Sequence, residues 1–127
     1  MKNLYLILII VFGCSNYNSL DEQLVGTIWS VNQIKIKEQP NYNFPSELLN
    51  CYRYSFEDNH SVKVLSSSGY SSGKWWITGN NLMIIEEVDT ARILVDFFEH
   101  NRMSWELKSD SITYKFQLSK TDEFLCE

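Results

Sequence analysis

Two histidines are the side chains of this sequence best suited to acid–base chemistry or metal binding, and each has a reactive neighbour. Ser61 follows His60, and Glu99 precedes His100. Neighbouring residues on a strand point to opposite faces, so adjacency alone does not build a catalytic pair. The sequence contains no nucleophile elbow, zinc-protease motif or phosphate-binding loop. We therefore predict no catalytic residues, no enzyme activity, no metal site and no cofactor.

Acidic residues are the second candidate group. Glu86, Glu87 and Asp89 cluster at the end of a predicted strand, where they could flank a cation or assist proton transfer if buried. We interpret them as an acidic, solvated rim. The whole chain has 11 Lys and Arg against 16 Asp and Glu, a net charge of −5. Without a basic patch, the sequence predicts no nucleic-acid partner.

The first 13 residues have the pattern of a secretion signal. Lys2 is followed by a nine-residue apolar run ending at Phe12, well short of the roughly 20 residues that span a bilayer. Residues 11–14 (VFGC) resemble the lipobox of bacterial lipoproteins, in which the cysteine thiol is acylated and the chain is cleaved before it. The resemblance implies a signal peptide over 1–13, lipidation of Cys14 with acyl chains such as palmitate, and a polar tether over 14–23. A plain secretory signal with an incidental cysteine is the alternative.

The same resemblance implies a location. Ser15 rather than Asp follows Cys14, so the inner-membrane retention signal of these lipoproteins is absent. The implied place is the bacterial cell envelope, with the protein anchored through its N-terminal lipid to the outer membrane and facing the periplasm. The membrane is then the first partner, and several acyl chains would make that anchoring stable.

Two cysteines remain if Cys14 is acylated. Outside the cytoplasm, Cys51 and Cys126 can form a disulfide, which would close a loop of about 75 residues. The loop-entropy model gives such a bridge roughly 4 kcal/mol of stabilisation. Two free, buried thiols are the alternative. We predict the disulfide.

The apolar residues of the remaining chain recur with a period of two, which is typical of half-buried strands. Eight strands are predicted, over residues 27–37, 52–56, 61–65, 74–78, 82–86, 92–99, 102–107 and 111–118. Their mostly short links imply antiparallel neighbours. Closure of the sheet would remove its exposed edges. The predicted fold is all-β: an eight-stranded antiparallel up-and-down barrel with one short helical turn, at residues 46–49 after Pro45.

The first predicted strand carries its apolar residues on two faces. Trp29 and Val31 share one face, whereas Ile34 and Ile36 lie on the other. A bulge near residues 32–33 would bring all four to the same side.

Two further stretches carry local predictions. Residues 66–73 contain mainly Ser and Gly and are predicted to form a flexible loop at the barrel rim. Trp75 and Trp76 are adjacent in a predicted strand and must face opposite sides. One of the two indoles is therefore exposed, or covered by a loop or a partner.

Three stretches resemble the small lipocalin-like domains of bacterial lipoproteins: residues 24–29 (LVGTIW), 54–59 (YSFEDN) and 73–82 (GKWWITGNNL). The third is similar to a G-x-W-x-I-x-G-N-x-L hairpin and is the most specific. The resemblance covers about residues 24–120 and implies a lipocalin-like barrel domain over 24–127. Lipocalin-like barrels imply binding of a small apolar ligand.

Eight aromatic side chains are assigned to the inner face as candidate ligand-binding residues: Trp29, Tyr54, Phe56, Trp75, Phe97, Trp105, Tyr114 and Phe116. They could line an apolar pocket for a lipid, a sterol or an aromatic metabolite. Alternatively, they fill the core. The protein would then be an interaction module of the envelope that has no small-molecule ligand and contacts a protein partner through its surface.

Two tripeptides raise the question of glycosylation. Asp89-Thr90-Ala91 and Asp110-Ser111-Ile112 resemble the Asp-Ser/Thr-apolar acceptor of an O-glycosylation system in some Gram-negative bacteria. Both lie in predicted turns or at strand starts, where a glycan could be accepted. Chance matches to so short a motif are common.

Overall fold

The computed structural model of the protein describes residues 19–86 and 89–126. The predicted signal peptide over 1–13, the predicted lipidation site Cys14 and the tether up to residue 18 lie outside the described residues, as does Glu87 of the acidic cluster. Within the described part of the chain, no helix combines the length and the apolar character needed to cross a membrane.

Eight strands close into one barrel, and each pairs antiparallel with its sequence neighbours. They are β1 Thr27–Ile36, β2 Arg53–Phe56, β3 Ser61–Ser66, β4 Gly69–Thr78, β5 Asn81–Glu86, β6 Asp89–Glu99, β7 Arg102–Ser109 and β8 Ile112–Thr121. β1 pairs with β8 and completes the ring. The predicted all-β, up-and-down barrel is confirmed.

The bulge predicted in β1 is present. Its register against β8 shifts between Val31 and Gln33, so that Asn32 is left out of the ladder. Trp29 and Val31 before the shift, and Ile34 and Ile36 after it, are all buried. The extra residue therefore changes the phase of the strand and keeps both apolar pairs inside.

The prediction of a flexible loop over residues 66–73 is wrong. β3 continues to Ser66 and β4 begins at Gly69, so only Ser67 and Ser68 separate the two strands. Gly69 supplies the positive φ of 120° that this tight turn uses. Small, polar residues can form this exposed hairpin because cross-strand backbone hydrogen bonds require no apolar side chains.

The hairpin of residues 73–82 joins β4 to β5. Packing against the neighbouring strand explains why its first residue is a glycine. A Cβ on Gly73 would overlap the backbone carbonyl of Ile85 on the neighbouring strand. Glycine therefore allows the close approach of β4 to β5. At the turn, Gly79 has a φ of 63°, which glycine adopts without strain.

Two short helices accompany the barrel. The predicted helical turn is present as α2 (Ser46–Leu49), with Pro45 at its N-cap. Helix α1 (Leu20–Leu24) was not predicted, and the domain boundary placed at residue 24 falls at its end. Its signal is a Ser at the N-cap and a Glu three residues later: the Ser19 hydroxyl accepts a hydrogen bond from the Glu22 backbone N–H.

The barrel has two different ends. The closed end carries the turns β2–β3, β4–β5 and β6–β7. Here α1 contacts the β2–β3 turn through Asp21 and His60, and its Leu24 is buried in the core. The side chains of Leu24, Trp29, Phe56, Trp75 and Leu82 are at most 1% exposed there. The other end, which we call the mouth, carries the connections β3–β4, β5–β6 and β7–β8.

The adjacent tryptophans of β4 face opposite sides, as predicted. Trp75 points into the closed half and is 1% exposed, whereas Trp76 points outward and is 39% exposed. Trp75 packs edge to face against Phe56 with ring centroids 5.4 Å apart, and its indole N–H donates to the Glu57 carbonyl at 3.3 Å.

Candidate functional site

All eight aromatic side chains assigned to the interior point inward, but the structure divides them into two groups. Trp29, Phe56, Trp75 and Phe97 belong to the tightly packed closed half. Tyr54, Trp105 and Phe116 lie nearer the mouth and line a cavity, while Tyr114 packs beneath Phe44 of the β1–β2 connection. The first group is core, and the three residues that line the cavity can contact a ligand.

The cavity, which we call the mouth cavity, has a volume of about 190 Å³ and opens to solvent. Its wall is apolar and aromatic and comes from β2, β5, β6, β7 and β8: Tyr54, Ile84, Ala91, Ile93, Trp105, Leu107 and Phe116. Its rim is polar: Glu86, Asp89 and Thr90. The aliphatic wall residues were not singled out from the sequence, although their alternation along β5 and β6 was a usable signal.

Two carboxylates of the predicted acidic cluster lie at this rim. Glu86 and Asp89 are register partners on β5 and β6 and follow the same alternation as Ile84 and Ala91, the next inward pair. Glu86 is half-buried and Asp89 is exposed. Both also border a neighbouring groove formed with Tyr70, Ser71 and Ser72 of β4. The acidic residues therefore occupy the entrance of the cavity.

A pair of tyrosines forms the polar part of the aromatic wall. The hydroxyls of Tyr52 and Tyr54 are 3.0 Å apart and share a hydrogen bond, and their rings stack at 5.5 Å. The Tyr54 and Trp105 rings also pack edge to face, with their centroids 4.8 Å apart. Burial raises the pKa of Tyr54 well above 10.0, and the nearby Tyr52 and Glu86 raise it further. Burial likewise raises the pKa of Tyr52, with its hydrogen bond to Tyr54 acting in the opposite direction.

These raised pKa values predict a loss of stability in alkali. A phenol with a higher pKa in the folded than in the unfolded chain stabilises the fold below the unfolded value of 10.0, and this contribution is lost as the pH rises above it. We expect the urea midpoint to fall above pH 10.0 less steeply in the Tyr52→Phe/Tyr54→Phe variant than in the unmodified protein. Tyr70→Phe, which changes a 58% exposed ring, is the control. Equal slopes in all three proteins would contradict the assignment.

The structure brings Cys51 and Cys126 together in the predicted disulfide. Their Cα atoms are 5.9 Å apart across a sequence separation of 75, a spacing typical of disulfides. The segment after β8 returns along the barrel to reach this point: the Arg53 guanidinium donates to the carbonyl of Glu123, and the Phe124 ring lies 6.1 Å from that of Tyr70. The C-terminal segment is thus held at the mouth end.

The two histidines lie in the turns β2–β3 and β6–β7. His60 contacts Asp21 of α1 through its Nε2 at 2.8 Å, and its ring lies 4.5 Å from that of Trp75. It therefore joins α1 to the closed end. His100 is exposed in the β6–β7 turn. Within residues 19–86 and 89–126, no three His, Cys, Asp or Glu side chains are grouped closely enough to hold a metal ion.

The two tripeptides that resemble glycosylation acceptors lie on the surface. Thr90 is exposed near the start of β6, and Ser111 is exposed in the β7–β8 turn. Both hydroxyls belong to the mouth end of the barrel. A glycan on Thr90 would lie at the rim of the mouth cavity, since this residue borders it.

No family model, no curated protein and no solved structure matches this chain. The fold class is a closed eight-stranded antiparallel barrel, and the candidate site is the cavity at its mouth.

Proposed function

We propose that this protein is a non-enzymatic binding protein of the bacterial cell envelope, anchored through a lipid on Cys14, whose barrel takes a small and mainly apolar ligand into the mouth cavity. The observation that carries the proposal is the uneven filling of the barrel. Large side chains pack the closed half, whereas the mouth half retains about 190 Å³ within an apolar wall. Ligand pockets generally combine such a wall with a few polar groups.

The volume limits the size of the ligand. An apolar cavity of about 150 Å³ accepts benzene, and pockets for drug-sized molecules begin near 300 Å³. A cavity of about 190 Å³ therefore suits one aromatic ring with a short substituent. Of the ligand classes that the sequence suggests, the aromatic metabolite fits this volume better than a sterol or a long acyl chain.

Filling the cavity tests this proposal. Ala91 lies in the wall, and an Ala91→Leu substitution would place a larger apolar side chain where the ligand ring should lie. We expect calorimetric titration with p-cresol to give saturable binding that weakens at least tenfold in Ala91→Leu. Arg92→Leu, at the exposed and outward-facing next position, is the matched control. Binding that Ala91→Leu leaves unchanged would place the ligand elsewhere.

Native mass spectrometry of the protein purified from its own cells provides a second, probe-independent test. An extra mass that disappears on denaturation would be the copurified ligand. A bare chain that also fails to bind p-cresol would contradict ligand binding.

A specific observation favours the interaction module as a second candidate. On the outer face of the barrel, Trp76 is 39% exposed beside its register partner Met83, and Leu94 is 48% exposed on β6. A photo-crosslinking residue at position 76 should capture an envelope protein in cells, whereas one at Lys35, an exposed position of β1, should not. The same adducts from both positions, or none from position 76, would count against it.

A further inference from the structure

We infer that the Tyr54 hydroxyl donates a hydrogen bond to the ligand in the mouth cavity, so that the cavity prefers one-ring ligands with a neutral oxygen acceptor, such as an aromatic ketone or ether. This inference rests on the ligand-binding function proposed above. It assigns the residue that recognises the polar atom of the ligand. Three observations carry it: the part of Tyr54 that faces the cavity, the spare proton of the tyrosine pair, and the hydrogen bond of the other polar side chain in the wall.

Tyr54 faces the cavity with the edge of its ring. Its inward-facing neighbours along the chain, Tyr52 and Phe56, stack on the ring with centroids 5.5 and 6.2 Å away. These two rings cover its faces, and yet Tyr54 lines the cavity. An edge of the ring is therefore what remains for a ligand. Because the side chain points inward from β2, its hydroxyl is the atom that extends furthest from the strand into the barrel.

The tyrosine pair has one hydroxyl proton more than its own hydrogen bond uses. The hydroxyls of Tyr52 and Tyr54 are 3.0 Å apart, and either can donate to the other. Two phenols bring two protons, and their mutual hydrogen bond engages one of them. Among the described residues, the structure gives neither hydroxyl a further hydrogen-bond partner. When Tyr52 donates to Tyr54, the Tyr54 proton is available to an acceptor inside the cavity.

The other polar side chain of the wall is already engaged. The Trp105 indole N–H donates to the Met103 sulfur at 3.3 Å. The remaining side chains of the wall are hydrocarbon. The carboxylates of the rim accept hydrogen bonds rather than donate them, and the hydroxyl-bearing Thr90 is exposed. Among the described side chains of the wall, Tyr54 therefore supplies the available donor.

The surroundings of this hydroxyl determine which acceptor suits it. Burial raises the pKa of Tyr54 well above 10.0, so the hydroxyl keeps its proton at neutral pH. A hydroxyl in apolar surroundings gains free energy when it finds an acceptor. No lysine or arginine belongs to the described lining of the cavity, so a carboxylate inside it would lack a counter-charge. A neutral oxygen is the acceptor that fits.

Two probes of nearly identical shape isolate this hydrogen bond. Acetophenone has a carbonyl oxygen where α-methylstyrene has a methylene group. Calorimetry on the full chain compares the affinity of each probe between protein variants, so that the different hydrophobicity of the two probes cancels. We expect Tyr54→Phe to weaken acetophenone binding by about fivefold or more, as the loss of a neutral hydrogen bond does. The affinity for α-methylstyrene should stay unchanged or rise.

Tyr52→Phe is the matched control. It removes the other hydroxyl of the pair, from a residue that lies outside the described lining of the cavity, and leaves the Tyr54 proton in place. Acetophenone should keep its affinity for this variant. Both variants make the same chemical change within one stacked pair of rings, so a general effect on packing would appear in both.

The possible results distinguish this inference from the proposed function. Acetophenone binding that Tyr54→Phe leaves unchanged, or an equal loss for both probes, would overturn the hydrogen bond and leave apolar ligand binding standing. Equal losses of acetophenone affinity in Tyr52→Phe and Tyr54→Phe would overturn the assignment to Tyr54. Failure of both probes and of p-cresol to bind the unmodified protein would overturn the proposed function together with this inference.

Discussion

Loss of the disulfide between Cys51 and Cys126 is expected to lower the free energy of unfolding by about 4 kcal/mol. The bridge closes a segment of 75 residues, and an unfolded chain without it gains the corresponding loop entropy. The loss is large beside the roughly 5–15 kcal/mol that stabilises a typical domain. The C-terminal segment should also detach, because the contacts that hold it besides the disulfide are weak. They are exposed hydrogen bonds to Arg53, a local hydrogen bond to the Thr121 hydroxyl and a ring contact with Tyr70.

Urea unfolding with and without reductant measures this effect on protein carrying Cys14→Ser, in which only the two thiols in question remain. Cys126→Ser and Cys51→Ser/Cys126→Ser should lose the same stability, since either change removes the same bond. The oxidised protein should be lighter than the reduced protein by two hydrogen masses. A urea midpoint that reductant does not move, together with thiols reactive before reduction, would show that the bridge is absent.

Truncation of Trp75 should have an effect of similar size, about 3–5 kcal/mol. The indole is 1% exposed and fills the closed half of the barrel between Phe56 and His60. Its removal would leave a cavity and would take away the hydrogen bond that the Glu57 carbonyl accepts. Denaturant unfolding of Trp75→Ala measures the loss in the free energy of unfolding. If the alanine variant does not fold, Trp75→Phe, a smaller truncation, replaces it in the same measurement.

The neighbouring residue provides the matched control. Trp76→Ala makes the same chemical change one position along β4, but at an outward-facing ring that is 39% exposed. We expect it to cost about 1 kcal/mol or less, as surface substitutions generally do. Similar losses for the two variants would mean that the facing of β4 is assigned incorrectly.

Much of the barrel could be predicted because apolar alternation is a direct consequence of strand geometry. The period of two along β7 and β8 indicates both the strands and their inner faces. Even the bulge of β1 follows from the sequence, since Trp29 and Ile36 can share one face only if a residue is left out of the ladder. These features depend on burial, which the apolar pattern reports.

Features that depend on backbone hydrogen bonding were harder to predict. The turn at Ser67 and Ser68 lies in a polar stretch, and its composition favours a loop although its hydrogen bonds form a hairpin. Helix α1 has only five residues, too few to establish a helical period, and its capping serine was assigned to a polar tether. In both cases apolar periodicity carried no information.

The candidate site was predicted in part. Three residues of the predicted aromatic set line the cavity: Tyr54, Trp105 and Phe116. The sequence could not separate them from the aromatic residues of the core, because an inward-facing aromatic residue gives the same sequence pattern whether or not its layer of the barrel is filled. Glu86 and Asp89 were expected at a solvated rim. That this rim is the entrance of a cavity follows from the pairing of β5 with β6, which brings the two carboxylates opposite each other.

The position of α1 has a consequence for how the barrel stands relative to the bilayer. Under the proposed anchoring at Cys14, only residues 15–19 separate the lipid from this helix, and five residues extend at most about 17 Å. Because α1 lies at the closed end, that end is held close to the headgroups and the opening is directed away from them. A ligand would then enter from the aqueous compartment rather than by lateral diffusion out of the lipid phase, a route that suits a water-soluble aromatic metabolite better than a membrane lipid.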